Sequence, residues 1–329
     1  METLNKKLCG SISEGKSFLI FTHVRPDGDA LGSSFGLRDA LREAGKEADV
    51  VIPCDLPDRY RSFFLGAKTS VDENDAERYD FILVLDCATL ERVESGNFDL
   101  SKYQHKLLNL DHHRGNTTCN CALYSHVDPE AASTCHLVVY LAQECGLPLP
   151  KSAATSLLIG MMTDTGNFRF ANTTGDALRA AAELIDKGAE LEKAVNTIYF
   201  SKSMRQRNFE TDLVSNALKF ACDNRIAYAY ITDEMLAKHD FSLKEDEGII
   251  DILREIDSVV FAVLIHKKDG AYKISMRSKD RRYPVGPVAR KFGGGGHDLA
   301  AGATLYGENI GEVLATLLPH LENMLAEQK

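Results

Sequence analysis

The sequence predicts an α/β fold, with a mostly parallel sheet carrying helices on both faces, followed by a second, smaller α/β domain. Three observations carry that expectation. Short apolar runs without polar alternation recur through the first half, as strands buried on both sides of a parallel sheet should. Helical patterns stand between and after those runs, which gives the βα alternation of a sheet covered by helices. The order of elements then changes in the last third, and 329 residues fit two domains better than one.

Taken in order, the expected strands of the first half are Ser17-Phe18-Leu19-Ile20-Phe21-Thr22, Ala48 to Ile52, Phe81 to Leu85 and Lys106 to Leu110. The expected helices are Ala30 to Ala44, Ala131 to Cys145, Ser152 to Met162 and Thr174 to Lys187. From about Ala189 to Asn216 the pattern is amphipathic helix with polar interruptions, such as Ser201-Lys202-Ser203, and reads as a connection. Beyond it come strands at Arg225 to Ile231, Val259 to His266, Ala271 to Met276 and Ala301 to Leu305, the last three suited to a meander. Helices are expected near Asp233 to Lys238, Glu247 to Ile256 and Asn309 to Ala326. The resulting division is 1–190, a helical linker over 191–218, and 219–329.

Composition narrows the function. With 44% apolar and 26% charged residues, 24 Gly and 9 Pro, the chain is not disordered, collagen-like or coiled-coil. Its net charge of −10 argues against a protein that holds long duplex nucleic acid by neutralising phosphates. Yet the window His266 to Lys291 has nine basic residues against two acidic ones, which leaves the rest of the chain at −17. Such asymmetry fits acids that are ordinary solvated surface as well as acids of which some hold metal, and a basic window that receives a small anion. The eight cysteines form no CxxC pair and read as reduced thiols. No apolar leader follows Met1 and no window is long and apolar enough to span a bilayer, so the expectation is a cytoplasmic protein without membrane contact.

Chemistry concentrates where the early elements end. After the first strand comes His23-Val24-Arg25-Pro26-Asp27-Gly28-Asp29, in which Pro26 stops the strand and Gly28 permits a tight turn. One imidazole and two carboxylates can then share the crevice beyond the strand's carboxyl end, where open parallel sheets bind ligands. Asp27 and Asp29 would serve equally well as turn and N-cap residues. Three further stations tip the balance: Asp86 after Phe81 to Leu85, Asp111-His112-His113 after Lys106 to Leu110, and Asp164 after an apolar helix. Carboxylates with a minority of imidazoles make a hard, oxygen-rich site suited to Mn²⁺ or Mg²⁺. Packed acids repel one another, and divalent cations would relieve that repulsion.

In order and spacing, His23-x-x-x-Asp27-x-Asp29, Asp86, Asp111-His112-His113 and Asp164 resemble the motifs of the DHH phosphoesterase superfamily. Gly293-Gly294-Gly295-Gly296-His297 followed by Ala300-Ala301-Gly302 resembles the companion DHHA1 domain, so the likeness spans essentially the whole chain. It implies a DHH catalytic domain, a DHHA1 substrate-binding domain and an active site in the cleft between them. It further implies two metal ions, Mn²⁺ ahead of Mg²⁺, with His23 and Asp27 on one, Asp29, His112 and Asp164 on the other, and Asp86 bridging. His113 would face the substrate phosphate, and Asp111 would orient the neighbouring imidazoles.

The four glycines alone would pass for a flexible linker, but they follow a short helical stretch and lead into a strand. Backbone N–H groups of such a loop can approach an anion closely, and His297 adds a donor. The strand before it delivers Arg277, Ser278 and Lys279, of which Arg277 offers a planar fork for phosphate. By the resemblance, these residues and the Gly293 to His297 loop hold the substrate's far end. Length and acidity match the nanoRNase type of the superfamily, which degrades very short oligoribonucleotides and removes the 3′-phosphate of 3′-phosphoadenosine 5′-phosphate (pAp). The alternatives are a cyclic- or linear-dinucleotide phosphodiesterase of the same superfamily and a non-catalytic nucleotide-binding regulator. Short RNA and small nucleotides are the expected partners, with a homodimer as the expected assembly.

Overall fold

The computed structural model describes residues 3–96, 98–243 and 248–327. They form two compact units that divide between Ser201 and Lys202. In the first unit the helices are α1 (Lys6–Glu14), α2 (Gly28–Glu43), the one-turn α3 (Asp58–Arg61) and α4 (Glu73–Glu77), α5 (Thr134–Cys145), α6 (Lys151–Asp164), α7 (Gly175–Asp186) and α8 (Leu191–Tyr199). The strands are β1 (Ser17–Phe21), β2 (Glu47–Val50), β3 (Phe81–Leu85), β4 (Leu107–Asp111) and β5 (Tyr124–Val127).

These strands make one sheet in the order β2-β1-β3-β4-β5, and every neighbouring pair is parallel. Alternate residues point to opposite faces and both faces are buried, which is why the strand sequences carry no polar alternation. Phe18, Ile20, Leu83, Leu85, Leu108 and Leu110 pack in one core with side chains of α2, α5 and α6. Leu19, Phe21, Ile82, Val84 and Leu107 pack in another with Tyr79, Phe98, Leu100 and Tyr103. Helices on both faces are thus present, but unequally: the second face is covered by α4 and by 3₁₀ turns at Leu90–Arg92 and Leu100–Lys106.

The strand order sets the position of the site. The chain leaves β1 towards β2 on one side and returns as β3 on the other, so the carboxyl ends of β1 and β3 flank the topological switch point. His23 and Asp86 follow those two ends.

A glycine row then brings α2 against α6. Gly28, Gly32 and Gly36 lie four residues apart on one face of α2. A Cβ on Gly32 would stand 2.5 Å from the Ser156 carbonyl oxygen, and one on Gly36 would stand 2.5 Å from Leu157 Cγ. This close crossing places the start of α2, with Asp29, beside the end of α6, with Asp164. Gly32→Val should therefore destabilise the protein by at least about 2 kcal/mol, the scale of an overpacked core. Denaturant melts of the metal-free protein would check it.

One expectation fails here. The structure joins Cys9 of α1 to Cys145 of α5 in a disulfide, with Cα atoms 5.6 Å apart, so not all eight cysteines are free thiols. The partners lie 136 residues apart in sequence and meet because α1 packs on α5. Spacing along the chain carries no trace of such a meeting.

The second unit comprises α9 (Met204–Asp212), β6 (Leu218–Ala221), β7 (Ile226–Ile231), α10 (Asp233–Lys238), α11 (Ile249–Arg254), β8 (Phe261–Lys268), β9 (Ala271–Ser278), α12 (Gly286–Lys291), β10 (Gly295–His297), β11 (Ala300–Leu305) and α13 (Ile310–Glu327). Its strands form a mixed sheet in the order β10-β11-β9-β8-β7-β6. β8, β9 and β11 are successive antiparallel neighbours, the meander expected of the last three predicted strands. Part of the glycine run, read from the sequence as loop, is instead the edge strand β10, paired to β11. The expected helix start at Glu247 lies outside the described residues. Among the described residues, no helix is long and apolar enough to cross a membrane.

Candidate active site

The site begins with two strand ends. His23 lies two residues beyond β1, and Asp86 follows β3 directly with φ +53°, a left-handed conformation uncommon for a side-chain-bearing residue. Asp27 caps α2, its Oδ1 accepting from the amides of Asp29 and Ala30 at 3.0 Å each. Of the two acids offered as caps, Asp27 takes that role, while Asp29 is buried in the first turn. Asp111 ends β4, and Asp164 ends α6.

Among the described residues of the first unit, His23, Asp27 and Asp86 bring donor atoms within 4.8 Å of one another, as do Asp29, His112 and Asp164, and Asp86, Asp111 and His113. Asp86 stands between the first two groups. Its Oδ2 lies 3.6 Å from His23 Nε2, and its Oδ1 lies 3.6 Å from His112 Nε2. His112 Nε2 also faces Asp29 and Asp164, each at 3.7 Å. Both imidazoles are held from behind. His23 Nδ1 lies 2.9 Å from the Val24 carbonyl oxygen and His112 Nδ1 lies 3.3 Å from that of Ala131. Donation to those carbonyls assigns the proton to Nδ1 and turns Nε2 towards the carboxylates.

His113 is placed differently. Its Nδ1 faces Asp111 Oδ1 at 2.7 Å, and Asp111 is itself held by the Asn116 side-chain amide through Oδ2.

Electrostatics show how crowded the acids are. Burial, and next the charge on Asp86, raise the Asp29 carboxyl to about 6. Burial followed by the charges of Asp29, Asp27 and Asp86 push Asp164 well above the carboxylate range. Asp86 is equally buried, which alone would raise it. The hydrogen bond to His23 and the charges of His113, His112 and His23 outweigh that effect and hold it well below the usual range. For His23, burial opposes the imidazolium, but Asp86 and Asp27 raise it to about 9. For His113, burial is likewise overcome by Asp111 and Asp86, again to about 9. Without a cation, burial and like charge favour the protonated form of Asp29 and Asp164, while the neighbouring carboxylates favour charged His23 and His113.

Residues 17–161 match the DHH family, N-terminal domain, and residues 223–323 match the DHHA1 domain. The Thermus thermophilus bifunctional oligoribonuclease and PAP phosphatase NrnA is 33% identical over 303 residues, covering 91% of this chain and 87% of the relative. The chain belongs to the DHH family. The Bacillus subtilis protein of the same name is 31% identical, over 95% of this chain and 97% of its own length. Among solved structures, an exopolyphosphatase-related protein from Bacteroides fragilis superposes with a TM-score of 0.88 at 25% identity, covering all of both chains.

DHH phosphoesterases are metal dependent, and the donor set here fits cations. Buried carboxylates with imidazole Nε2 atoms aimed at them supply the hard oxygen and nitrogen ligands that divalent ions take. The fit extends behind the ligands, where backbone carbonyls orient the histidines.

In the DHHA1 unit the sequence-predicted substrate residues divide. Arg277 lies on β9 opposite Ala262 and Ala300, with Nη1 donating to its neighbour Met276's carbonyl at 3.1 Å. Ser278 is buried, and its hydroxyl donates to the Asp280 carbonyl at 3.1 Å. Lys279 Nζ donates to the Ile256 carbonyl and lies 3.4 Å from that of Asp257. These two side chains thus have partners within their own unit. Gly294 and Gly296 press against β11, where a Cβ would meet backbone atoms of Gly302 and Ala300, and Gly296 has φ +125°. A Cβ at Gly293 or Gly295 would meet nothing within 4 Å, although the Gly293 amide donates to the Arg290 carbonyl at 3.1 Å and Gly295 pairs with Gly302.

Asn116, Thr134 and Asn172 were not legible as site residues. Asn172 Nδ2 donates to the Ala132 carbonyl at 2.9 Å and lies 3.3 Å from Asp164 Oδ2. For Thr134 a signal existed: it lies in the first turn of the helix expected over Ala131 to Cys145, and a helix N-terminus attracts carboxylates. Nothing marked either asparagine.

Proposed function

We propose that this chain hydrolyses very short oligoribonucleotides to mononucleotides, and pAp to AMP and phosphate. Supporting the reading are its membership of the DHH family and the activities for which its relatives are named, oligoribonuclease and PAP phosphatase. The observation that carries it is the position of Asp86, whose two oxygens face two separate ligand groups. His23 and Asp27 would hold one divalent cation, Asp29, His112 and Asp164 the other, and Asp86 both, with Mn²⁺ the proposed ion.

When bound, such a pair supplies an acidified water and charge neutralisation at phosphorus. The water oxygen would bond to phosphorus as the bond to the leaving oxygen breaks, and the proton the water gives up would pass to that leaving oxygen. Asp111 keeps the His113 imidazole oriented through Nδ1, which leaves Nε2 to donate to a phosphate oxygen. Arg277 and the Gly293 to His297 backbone, with Ser278 and Lys279 nearby, would receive the far end of the substrate. In this division residues 1–190 cut, 191–218 connect and 219–329 hold. The proposed setting is the cytoplasm, and the proposed assembly is a homodimer, which light scattering would check.

Arg277→Ala should raise KM about tenfold while lowering kcat less, because it removes binding shared by ground and transition states. Steady-state kinetics on a diribonucleotide would show it, and a loss confined to kcat would instead place Arg277 in the chemistry. The substrate itself is tested by a Mn²⁺-supplemented panel of di- to pentaribonucleotides, pAp, cyclic dinucleotides, polyphosphate and pyrophosphate. Fastest turnover of the short oligoribonucleotides and pAp supports the reading. Preference for pyrophosphate or polyphosphate overturns it.

A further inference from the structure

The first turn of α5 and the residues leading into it hold the ligand cluster through backbone and side chain. The Ala131 carbonyl holds His112 Nδ1, and the Ala132 carbonyl accepts from Asn172, which also reaches Asp164. The Thr134 and Cys135 amides donate to the two oxygens of Asp29 at 2.7 and 2.9 Å, placing that carboxylate on the positive end of a twelve-residue helix. The last contact is made by a side chain. The Thr134 hydroxyl donates to Asp86 Oδ1 at 2.9 Å.

Thr134 is fully buried, so its hydroxyl has no solvent alternative to that bond. Asp86 has φ +53° and needs its carboxylate rotated so that Oδ1 faces His112 and Oδ2 faces His23. A donor fixed on Oδ1 selects that rotation. Because the same residue's amide holds Asp29, one residue ties acids of both ligand groups to a single rigid helix start.

We infer that Thr134 is a positioning residue whose hydroxyl orients Asp86 between the two ligand groups, and so sets the protein's affinity for divalent cations. The inference rests on the proposed metal-ligand role of Asp86. Thr134→Val keeps the shape and the amide but removes the donor, while Thr134→Ser keeps the donor.

Isothermal titration of the metal-free protein with Mn²⁺ is the test, with the melting temperature of each metal-free variant as the control for folding. Loss of an outer hydrogen bond to a ligand weakens metal affinity about 10–100-fold. Thr134→Val should show such a loss with a near-native metal-free melt, and Thr134→Ser should restore affinity to near wild type. Should the valine variant not fold, Thr134→Ala carries the same comparison. Val or Ala binding Mn²⁺ as tightly as wild type overturns the proposal, and so does a serine variant as weak as valine. Asp86→Asn separates the two readings. If it weakens Mn²⁺ binding and Thr134→Val does not, only the role of Thr134 falls. If Asp86→Asn binds like wild type, the reading of the site falls, and the role of Thr134 with it.

Discussion

Asp86→Ala is expected to abolish hydrolysis of short oligoribonucleotides, by at least about 10³-fold in kcat, the scale of losing a principal electrostatic stabiliser of the transition state. The residue is 1% exposed at the carboxyl end of β3, with one side-chain oxygen towards His23 and the other towards His112. No neighbouring acid can take over both directions, since Asp27 faces only the first group and Asp29 and Asp164 only the second. The fold should survive, because the strands and the two cores beneath them do not depend on this carboxylate. Circular dichroism and the melting curve establish folding, and initial rates establish the loss. A folded Asp86→Ala protein with near-full activity would remove Asp86 from the mechanism.

The second large effect is on stability. The acids of the cluster are held together by packing of β1, β3, β4, α2 and α6 despite mutual repulsion, so a bound divalent cation should stabilise the folded chain. At a free concentration one hundred times its dissociation constant, one cation contributes about 2.7 kcal/mol. For a unit of roughly 200 residues that is a rise in Tm of about 5–10 °C. Chelation should reverse the rise and stop turnover together. Asp164→Asn should show the opposite balance: a metal-free Tm above wild type, because burial beside Asp29, Asp27 and Asp86 makes Asp164 take up a proton on folding and Asn removes that cost, and little gain on adding Mn²⁺. Differential scanning fluorimetry with and without Mn²⁺ reads both effects. A metal-free Asp164→Asn protein that melts below wild type and still gains the full increment would contradict the reading.

Much of this was written locally in the chain. Phe18 to Phe21 and Phe81 to Leu85 announce themselves as central strands because both faces are buried and the chain can afford no polar position there. Edge strands give weaker signals. β5, Tyr-Ser-His-Val, and β6, Leu-Lys-Phe-Ala, are only partly buried, and β10 is two glycines and a histidine. The four acidic and histidine stations were legible because each follows an element end, where a parallel sheet opens to a ligand. Their supports were not. Thr134 reaches Asp86 across 48 residues, Asn116 holds Asp111 from a loop, and Cys9 meets Cys145 across 136. These are contacts made by packing, and residue type alone does not encode them. The glycine run shows the converse: its composition suggested an open anion loop, whereas Gly294 and Gly296 are required by close passage of β11.

On the proposed reading, one cluster holds two cations on two ligand sets joined by Asp86. Anomalous diffraction at the manganese edge, from crystals grown with Mn²⁺, locates them. Two peaks are predicted, one against His23, Asp27 and Asp86 and the other against Asp29, Asp86, His112 and Asp164. Manganese bound only outside this cluster, or a single peak lacking Asp86 as a ligand, would contradict it.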